Sequence, residues 1–300
     1  MPVPYLHYDV FTREPLTGNQ LAVFLEGRTF APERMQALAR EMNFSESTFI
    51  LPAERSDTDI RMRIFTPAVE LPMAGHPTVG STFALAHAGV IAPGTARFVF
   101  GLGVGPVPVT LEWDNRRLCF VWMTQPDPAF GLIVGDVQHV AAALGVLRSD
   151  LAAEMPIQEV SCGVPFLLVP LATRAAVDRA VSDGASLRML AAQTGLDLAV
   201  FLFTIEPGEP EATAYSRMFA PQFGITEDPA TGGACGPLGS YLVHHGFVRG
   251  DATQRIVNMQ GVIMGRPSRI DIAIGGTPER ITDVRVGGEA VLVARGEVVI

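Results

Sequence analysis

The sequence lacks any apolar run near the ~18–20 residues that a membrane-spanning helix needs, so none is expected. Cysteine is scarce. Cys119, Cys162 and Cys235 are scattered and odd in number, which gives no disulfide framework and no metal-ligand spacing. That usage suits reduced thiols in the cytoplasm. There is no basic stripe, and the formal charge of −9 argues against a nucleic-acid partner. The opening residues hold no basic segment followed by an apolar core, so no signal peptide is expected and the location expected is cytoplasmic. Charged residues make up only 18% against 48% hydrophobic, which excludes a disordered chain and supports a substantial core. At 300 residues the chain is one large domain or two of ordinary size.

What is present reads as mixed strands and helices. Residues 3–11 and 21–25 flank the turn Leu16-Thr17-Gly18-Asn19-Gln20 and predict a hairpin. A helix is predicted from Ala31-Pro32-Glu33, with proline where its missing N–H costs nothing, and Met35, Leu38, Ala39 and Met42 share one face. Strands are predicted at 49–51, 60–65, 96–100, 107–113 and 118–123, and a buried helix over 75–89. Pro126-Asp127-Pro128 reads as a linker. Beyond it come helices at 137–144, 174–181 and 186–195, strands at 158–161, 165–171 and 199–205, and two short closing strands at 291–293 and 298–300.

The two halves repeat. Arg63-Ile64-Phe65-Thr66-Pro67 matches Arg217-Met218-Phe219-Ala220-Pro221, and each is followed by a glycine-containing turn and a helix containing Gly-Ser. The first helix carries Gly80-Ser81 and closes on His87-Ala88-Gly89; the second carries Gly239-Ser240 and closes on His244-His245-Gly246. Two copies are too few for a solenoid. The expectation is an α+β chain of two similar domains, each a curved, mostly antiparallel sheet around one buried helix. The first turn of such a helix has unpaired N–H groups and partial positive charge, so it accepts an anion without lysine or arginine. Gly75-His76 and Gly232-Gly233 are the two places where that applies, across a cleft if the domains face each other.

Asn43-Phe44-Ser45-Glu46-Ser47-Thr48-Phe49 places an acid between two phenylalanines, where a helix gives way to a strand and no cation is nearby in sequence. Such an acid is either a solvated turn residue or a proton-transfer group. Together with Glu70-Leu71-Pro72-Met73-Ala74-Gly75-His76-Pro77-Thr78 and Glu227-Asp228-Pro229-Ala230-Thr231-Gly232-Gly233, it resembles the phenazine-biosynthesis isomerase (PhzF-like) family. Tyr8-Asp9-Val10-Phe11, Thr17-Gly18-Asn19, Gly163-Val164-Pro165, Gln260-Gly261 and Gly265-Arg266-Pro267 extend the resemblance almost end to end.

The resemblance implies the diaminopimelate-epimerase-like fold, with two pseudo-symmetric barrel-like domains (1–125 plus about 285–300, and 126–284) and a cleft between them. It implies cofactor-free proton transfer on a small carboxylate-bearing metabolite, with no metal, and often a homodimer. Glu46 matches the general acid/base. Burial beside Phe44 and Phe49 would raise its pKa and suit that role. His76 and Asp228 match substrate-contacting residues, His76 toward a carboxylate or developing oxyanion and Asp228 toward an amine. Asn19, Ser45, Gly75, Gly232 and Gly233 complete the implied binding set.

Two departures stand out. Gly233 replaces the family's usual serine. Ala234-Cys235-Gly236 resembles one cysteine motif of the related epimerases and racemases, but the position matched in Met73-Ala74-Gly75-His76 holds alanine. A two-thiol racemase is therefore disfavoured, and Cys235 reads as a packed residue. An epimerase using Glu46 or Cys235, and a binding protein without turnover, remain as rivals. Gly101-Leu102-Gly103-Val104-Gly105-Pro106 lacks the third glycine and the helix of a nucleotide loop. His244 and His245 point about 100° apart on a helix and cannot share a metal.

Overall fold

The computed structural model describes residues 2–181, 183–196, 199–251 and 255–300. The chain divides into two compact units, one of residues through Thr124 with Val286–Ile300, the other of Gln125–Arg285.

In the first unit the strands are β1 (Pro2–Val10), β2 (Asn19–Phe24), β3 (Glu46–Pro52), β4 (Ile60–Phe65), β5 (Glu70–Leu71), β6 (Arg97–Leu102), β7 (Gly105–Asp114) and β8 (Arg117–Thr124), with helices α1 (Pro32–Met42) and α2 (Gly75–His87). The chain's last strand, Ala290–Val299, pairs antiparallel with β1, and β1 with β2. β2 runs parallel to β3, with α1 in the crossover. β3–β4 and β4–β5 are antiparallel, β4–β6 is parallel, and β6–β7 and β7–β8 are antiparallel. Val79, Ala84 and Leu85 of α2 are fully buried, because β1, β2, β3, β8 and the last strand all pack on that helix. A helix apolar on all sides can exist only when enclosed in this way. α1 shows one face, and Met35, Leu38 and Ala39 pack with Phe24, Phe30, Phe49 and Phe65.

The second unit holds β9 (Ala129–Ile133), α3 (Val137–Ala143), β10 (Gln158–Ser161), β11 (Pro165–Pro170), α4 (Arg174–Arg179), α5 (Gly184–Thr194), β12 (Ala199–Thr204), β13 (Ala214–Ala220), β14 (Ile225–Asp228), α6 (Gly232–His244), β15 (Ile256–Gln260), β16 (Ser268–Thr277) and β17 (Arg280–Gly288), which runs on past the unit's last residue. Its pairing repeats that of the first unit. β9–β10 and β10–β11 are antiparallel, β11–β12 parallel, β12–β13 and β13–β14 antiparallel, β13–β15 parallel, and β15–β16 antiparallel. α6 takes the place of α2 and packs on β10, β11 and β16.

The duplication extends to side chains. Arg63 forms a two-pronged pair with Glu70 at 2.7 and 2.6 Å, and its guanidinium lies 5.0 Å from the Phe65 ring centroid. Arg217 does the same with Glu227, at 2.8 Å for both prongs, 4.9 Å from Phe219. Each pair ties a two-strand corner (β4–β5, β13–β14) just ahead of the buried helix. Both helices end alike: Val90 N donates to Leu85 O as Phe247 N donates to Leu242 O, around Gly89 and Gly246 in the left-handed region.

The structure alters several sequence expectations. Counting from helix ends, Gly75 matches Gly232, while the Gly-Ser pair sits about half a turn further along α6. Pro237 lies inside α6, in its second turn. The two closing strands are one continuous strand, since residues 290–299 pair with β1 throughout except at Val293, where the register shifts. Solvent-facing β9 carried too little alternation to be seen. Gly103-Val104 form the tight turn of the β6–β7 hairpin, with no phosphate-loop helix.

Gly80 and Gly239 mark where strand side chains press on the buried helices. A Cβ on Gly80 would lie 2.6 Å from Leu21 and Val10, and one on Gly239 2.6 Å from Ile272. Overpacking costs about 1–3 kcal/mol, against about 1 kcal/mol recovered by removing a helical glycine. Gly80→Ala and Gly239→Ala should therefore each lower unfolding free energy by up to ~2 kcal/mol in urea titrations. The control Gly135→Ala, with open space around it, should stay within about 0.5 kcal/mol.

Candidate active site

In the first unit, α1 is stopped by Asn43, whose φ of 53° is left-handed and whose N–H donates to Ala39 O at 3.1 Å. Asparagine tolerates that conformation, and three residues later the chain enters β3 at Glu46. The parallel register sets Leu21 of β2 against Glu46 of β3. Asn19 precedes Leu21 by two residues and so shares its face. Asn19 is delivered by a tight turn in which Gly18 has φ 68° and a Cβ would lie 2.4 Å from Val10 O. Asp9 holds the same turn by accepting from Leu16 N at 2.7 Å. A hydroxyl contact of 2.9 Å between Thr48 and Ser81 fixes α2 over this face.

The outcome is a buried polar cluster. His76 Nε2 stands 3.4 Å from Glu46 Oε2, and Asn19 Nδ2 lies 3.2 Å from His76 Nδ1. Relative exposures are 7% for Glu46, 3% for His76 and 1% for Asn19. Ser45 is half-buried beside Glu46, and Gly75 is buried at the start of α2. Desolvation lowers the His76 pKa from 6.5 to about 3, with the Gln20 backbone acting weakly the other way. The imidazole is thus neutral and carries a single N–H. With the Asn19 amide in this orientation, Nδ2 donates to Nδ1, an arrangement that goes with the tautomer protonated on Nε2, facing Glu46. At 3.4 Å the contact is electrostatic rather than a full hydrogen bond. No side chain caps the first turn of α2 and no acid lies in it, so its dipole acts on this cluster unopposed from within the helix.

Burial of Glu46 thus does not come from Phe49. Phe49 lies on the opposite face of β3, stacked on Phe24 with centroids 4.8 Å apart, while Phe44 packs on the His7 ring at 4.6 Å. The neighbour of the carboxyl is an imidazole 30 residues on in the sequence, which local reading does not reveal.

The second unit gathers Asp228, Gly232 and Gly233. Asp228 closes β14 at 4% exposure, and Thr231, the residue before α6, donates its hydroxyl to Asp228 Oδ2 at 2.6 Å. That commitment leaves α6 without a side-chain cap. Gly232 O accepts from Gln125 Nε2 at 2.9 Å. A Cβ on Gly233 would meet only the Phe166 ring at 3.6 Å, so the missing serine is not a steric exclusion. Sequence reading missed Gln125 altogether and saw Thr231 and Gln260 only as motif residues without a role.

The thiols are poorly placed for chemistry. Cys235 is fully buried in α6, burial raises its pKa strongly, and Asn258 Nδ2 donates to its sulfur at 3.5 Å. Cys162 is buried and pushed up to about 12. Counted from the helix ends, Cys235 corresponds to Thr78 rather than Ala74, and that position also lacks a thiol.

Comparison with known proteins identifies the family and the fold. The family profile described as phenazine biosynthesis-like protein (PhzC-PhzF) matches residues 8–296. The trans-2,3-dihydro-3-hydroxyanthranilate isomerase of Pseudomonas aeruginosa is 37% identical over 292 residues, covering 97% of this chain and 98% of that protein. The uncharacterized isomerase YddE of Salmonella typhimurium is 33% identical over 294 residues, covering 97% and 96%. The crystal structure of a PhzF-family phenazine biosynthesis protein of Bacillus anthracis aligns over 100% of both chains, with a TM-score of 0.89 and 26% identity. The fold is accordingly the two-domain, epimerase-like one, and the chain belongs to the phenazine biosynthesis-like (PhzF) family.

Proposed function

We propose that this protein is a cofactor-independent isomerase that moves a proton between carbons of a small carboxylate-bearing metabolite, with Glu46 as general acid/base. The carrying observation is the buried Glu46–His76 contact at 3.4 Å beside the uncapped start of α2. A carboxylate that takes a proton from one carbon and returns it to another ends each cycle as it began, so no second reagent is consumed. A neutral His76 with its proton on Nε2 is a donor suited to a substrate carboxylate or to oxygen gaining charge as the C–H bond breaks. Backbone N–H groups at Gly75, the start of α2, favour the same charge. Asp228, in the second cluster, orients a donor group of the substrate such as an amine, and Asn19 and Ser45 add polar contacts. The chain contains no lysine, so an enzyme-bound Schiff base is not available to it.

The first substrate to test is trans-2,3-dihydro-3-hydroxyanthranilate, named for the Pseudomonas aeruginosa relative, followed by small amino and hydroxy acids. Glu46→Gln should lower turnover by about 10²–10⁴-fold and stop deuterium uptake from D2O, with ligand binding retained by calorimetry. Wild-type turnover in that variant would reject the mechanism.

His76 gives a second test. Its folded pKa of about 3 lies below the unfolded 6.5, so between these values the unfolded chain binds the extra proton. Its contribution to stability is therefore complete above pH 6.5 and declines as pH falls toward about 3, by at most about 1.4 kcal/mol per pH unit. Urea unfolding of wild type against His76→Gln should show this slope in the wild type alone. An imidazole resonance titrating near neutrality would contradict the neutral assignment.

Buried thiols predict that iodoacetamide at about pH 8 leaves turnover intact. Inactivation that substrate protects against would instead favour a cysteine-based epimerase.

A further inference from the structure

Gln260 ends β15 and is fully buried, as part of a motif to which nothing above assigns work. Its amide spans the loop between Asp228 and α6. Oε1 accepts from Thr231 N at 3.0 Å, while Nε2 donates to Asp228 O at 2.7 Å and to Thr231 Oγ1 at 2.9 Å. These contacts fix which end of the amide is which, because a backbone N–H can only donate and a backbone carbonyl can only accept. Both Nε2 hydrogens are thereby used. Thr231 Oγ1, already an acceptor from Nε2, directs its own proton to Asp228 Oδ2 at 2.6 Å. The result is a one-way chain from amide to hydroxyl to carboxylate.

The backbone around Gln260 is built to hold this place. Gly261 has φ 74°, and a Cβ there would lie 2.5 Å from Pro229 O and 2.4 Å from Arg266 O. Arg266 N closes the following turn onto Gly261 O at 3.0 Å. The turn after β15 therefore presses against the residue that follows Asp228. On the other flank, the Arg217–Glu227 pair anchors the residue that precedes it.

We propose that Gln260 is a positioning residue that, through the Thr231 hydroxyl, holds Asp228 as an oriented hydrogen-bond acceptor for a donor group on the substrate. The functional weight of this rests on the isomerase reading, whereas the geometry can be tested without turnover. An acceptor so held selects substrates that bring an ammonium, amine or hydroxyl to Asp228, and it disfavours a second carboxylate there.

Gln260→Glu is the informative variant. It keeps the acceptor for Thr231 N but replaces both donors with an oxygen, which draws the Thr231 proton away from Asp228. Thr231→Val removes the relay without altering Gln260, and Thr231→Ser restores it. In ¹³C spectra of the full-length protein, the Asp228 carboxyl carbon is assigned by its loss in Asp228→Asn. It should shift in Gln260→Glu and Thr231→Val and return close to its wild-type position in Thr231→Ser. With trans-2,3-dihydro-3-hydroxyanthranilate, kcat/KM should fall by about 10–100-fold in Gln260→Glu. Gln260→Glu combined with Asp228→Asn should be no slower than Asp228→Asn alone, because the two act as one unit. An unmoved carboxyl signal, or losses that add in the double variant, would overturn the relay. If the wild type turns over none of the compounds tested, the isomerase reading falls and the carboxyl signal alone decides whether Gln260 orients Asp228.

Discussion

A helix with no water-facing side must be enclosed by sheet, and the enclosure of α2 and α6 governs the remaining structure. Each is a 13-residue helix whose glycines let strand side chains close in. Enclosure requires a strongly curved sheet, and in each unit its strands follow the same mixed pattern with two parallel steps. Because the same solution occurs twice, each unit brings one buried helix start next to a strand end that carries a carboxylate. Glu46 heads β3 and Asp228 closes β14, so the two acids come from different elements of the repeat.

Burial also sets the electrostatics. An imidazole this far from water cannot hold a charge, so His76 does not neutralise Glu46 as an ion pair would. It offers a dipole and one proton instead. The first-turn N–H groups of α2 supply positive character that needs no counter-ion and does not titrate. The second cluster is organised differently. There the carboxylate accepts from a hydroxyl that is itself held by an amide, both groups without charge.

Much of this was legible in the chain. The repeated Arg-x-Phe segments mark paired strands because arginine, aromatic ring and a following glutamate form one local unit in both copies. The helices at 32–42 and 75–87 followed from periodicity and from sustained apolarity. Less legible was the Gly-Ser correspondence, since a half-turn offset along a helix leaves similar residues in similar order but on different faces. The role given to Phe49 failed for a related reason. Adjacent residues of a strand point to opposite faces, so nearness in sequence to Glu46 meant separation from it.

The sequence by itself determined the fold class, the duplication, the family and the identity of the acids, because each of these rests on local pattern and composition. Only the tertiary structure decided what stands beside those acids. His76 meets Glu46 across 30 positions and Gln260 reaches Thr231 across 29, distances set by strand register and helix docking. Such contacts leave no periodic trace in the chain, since hydrogen bonds between distant residues depend on where backbones converge and not on what lies next to them in sequence.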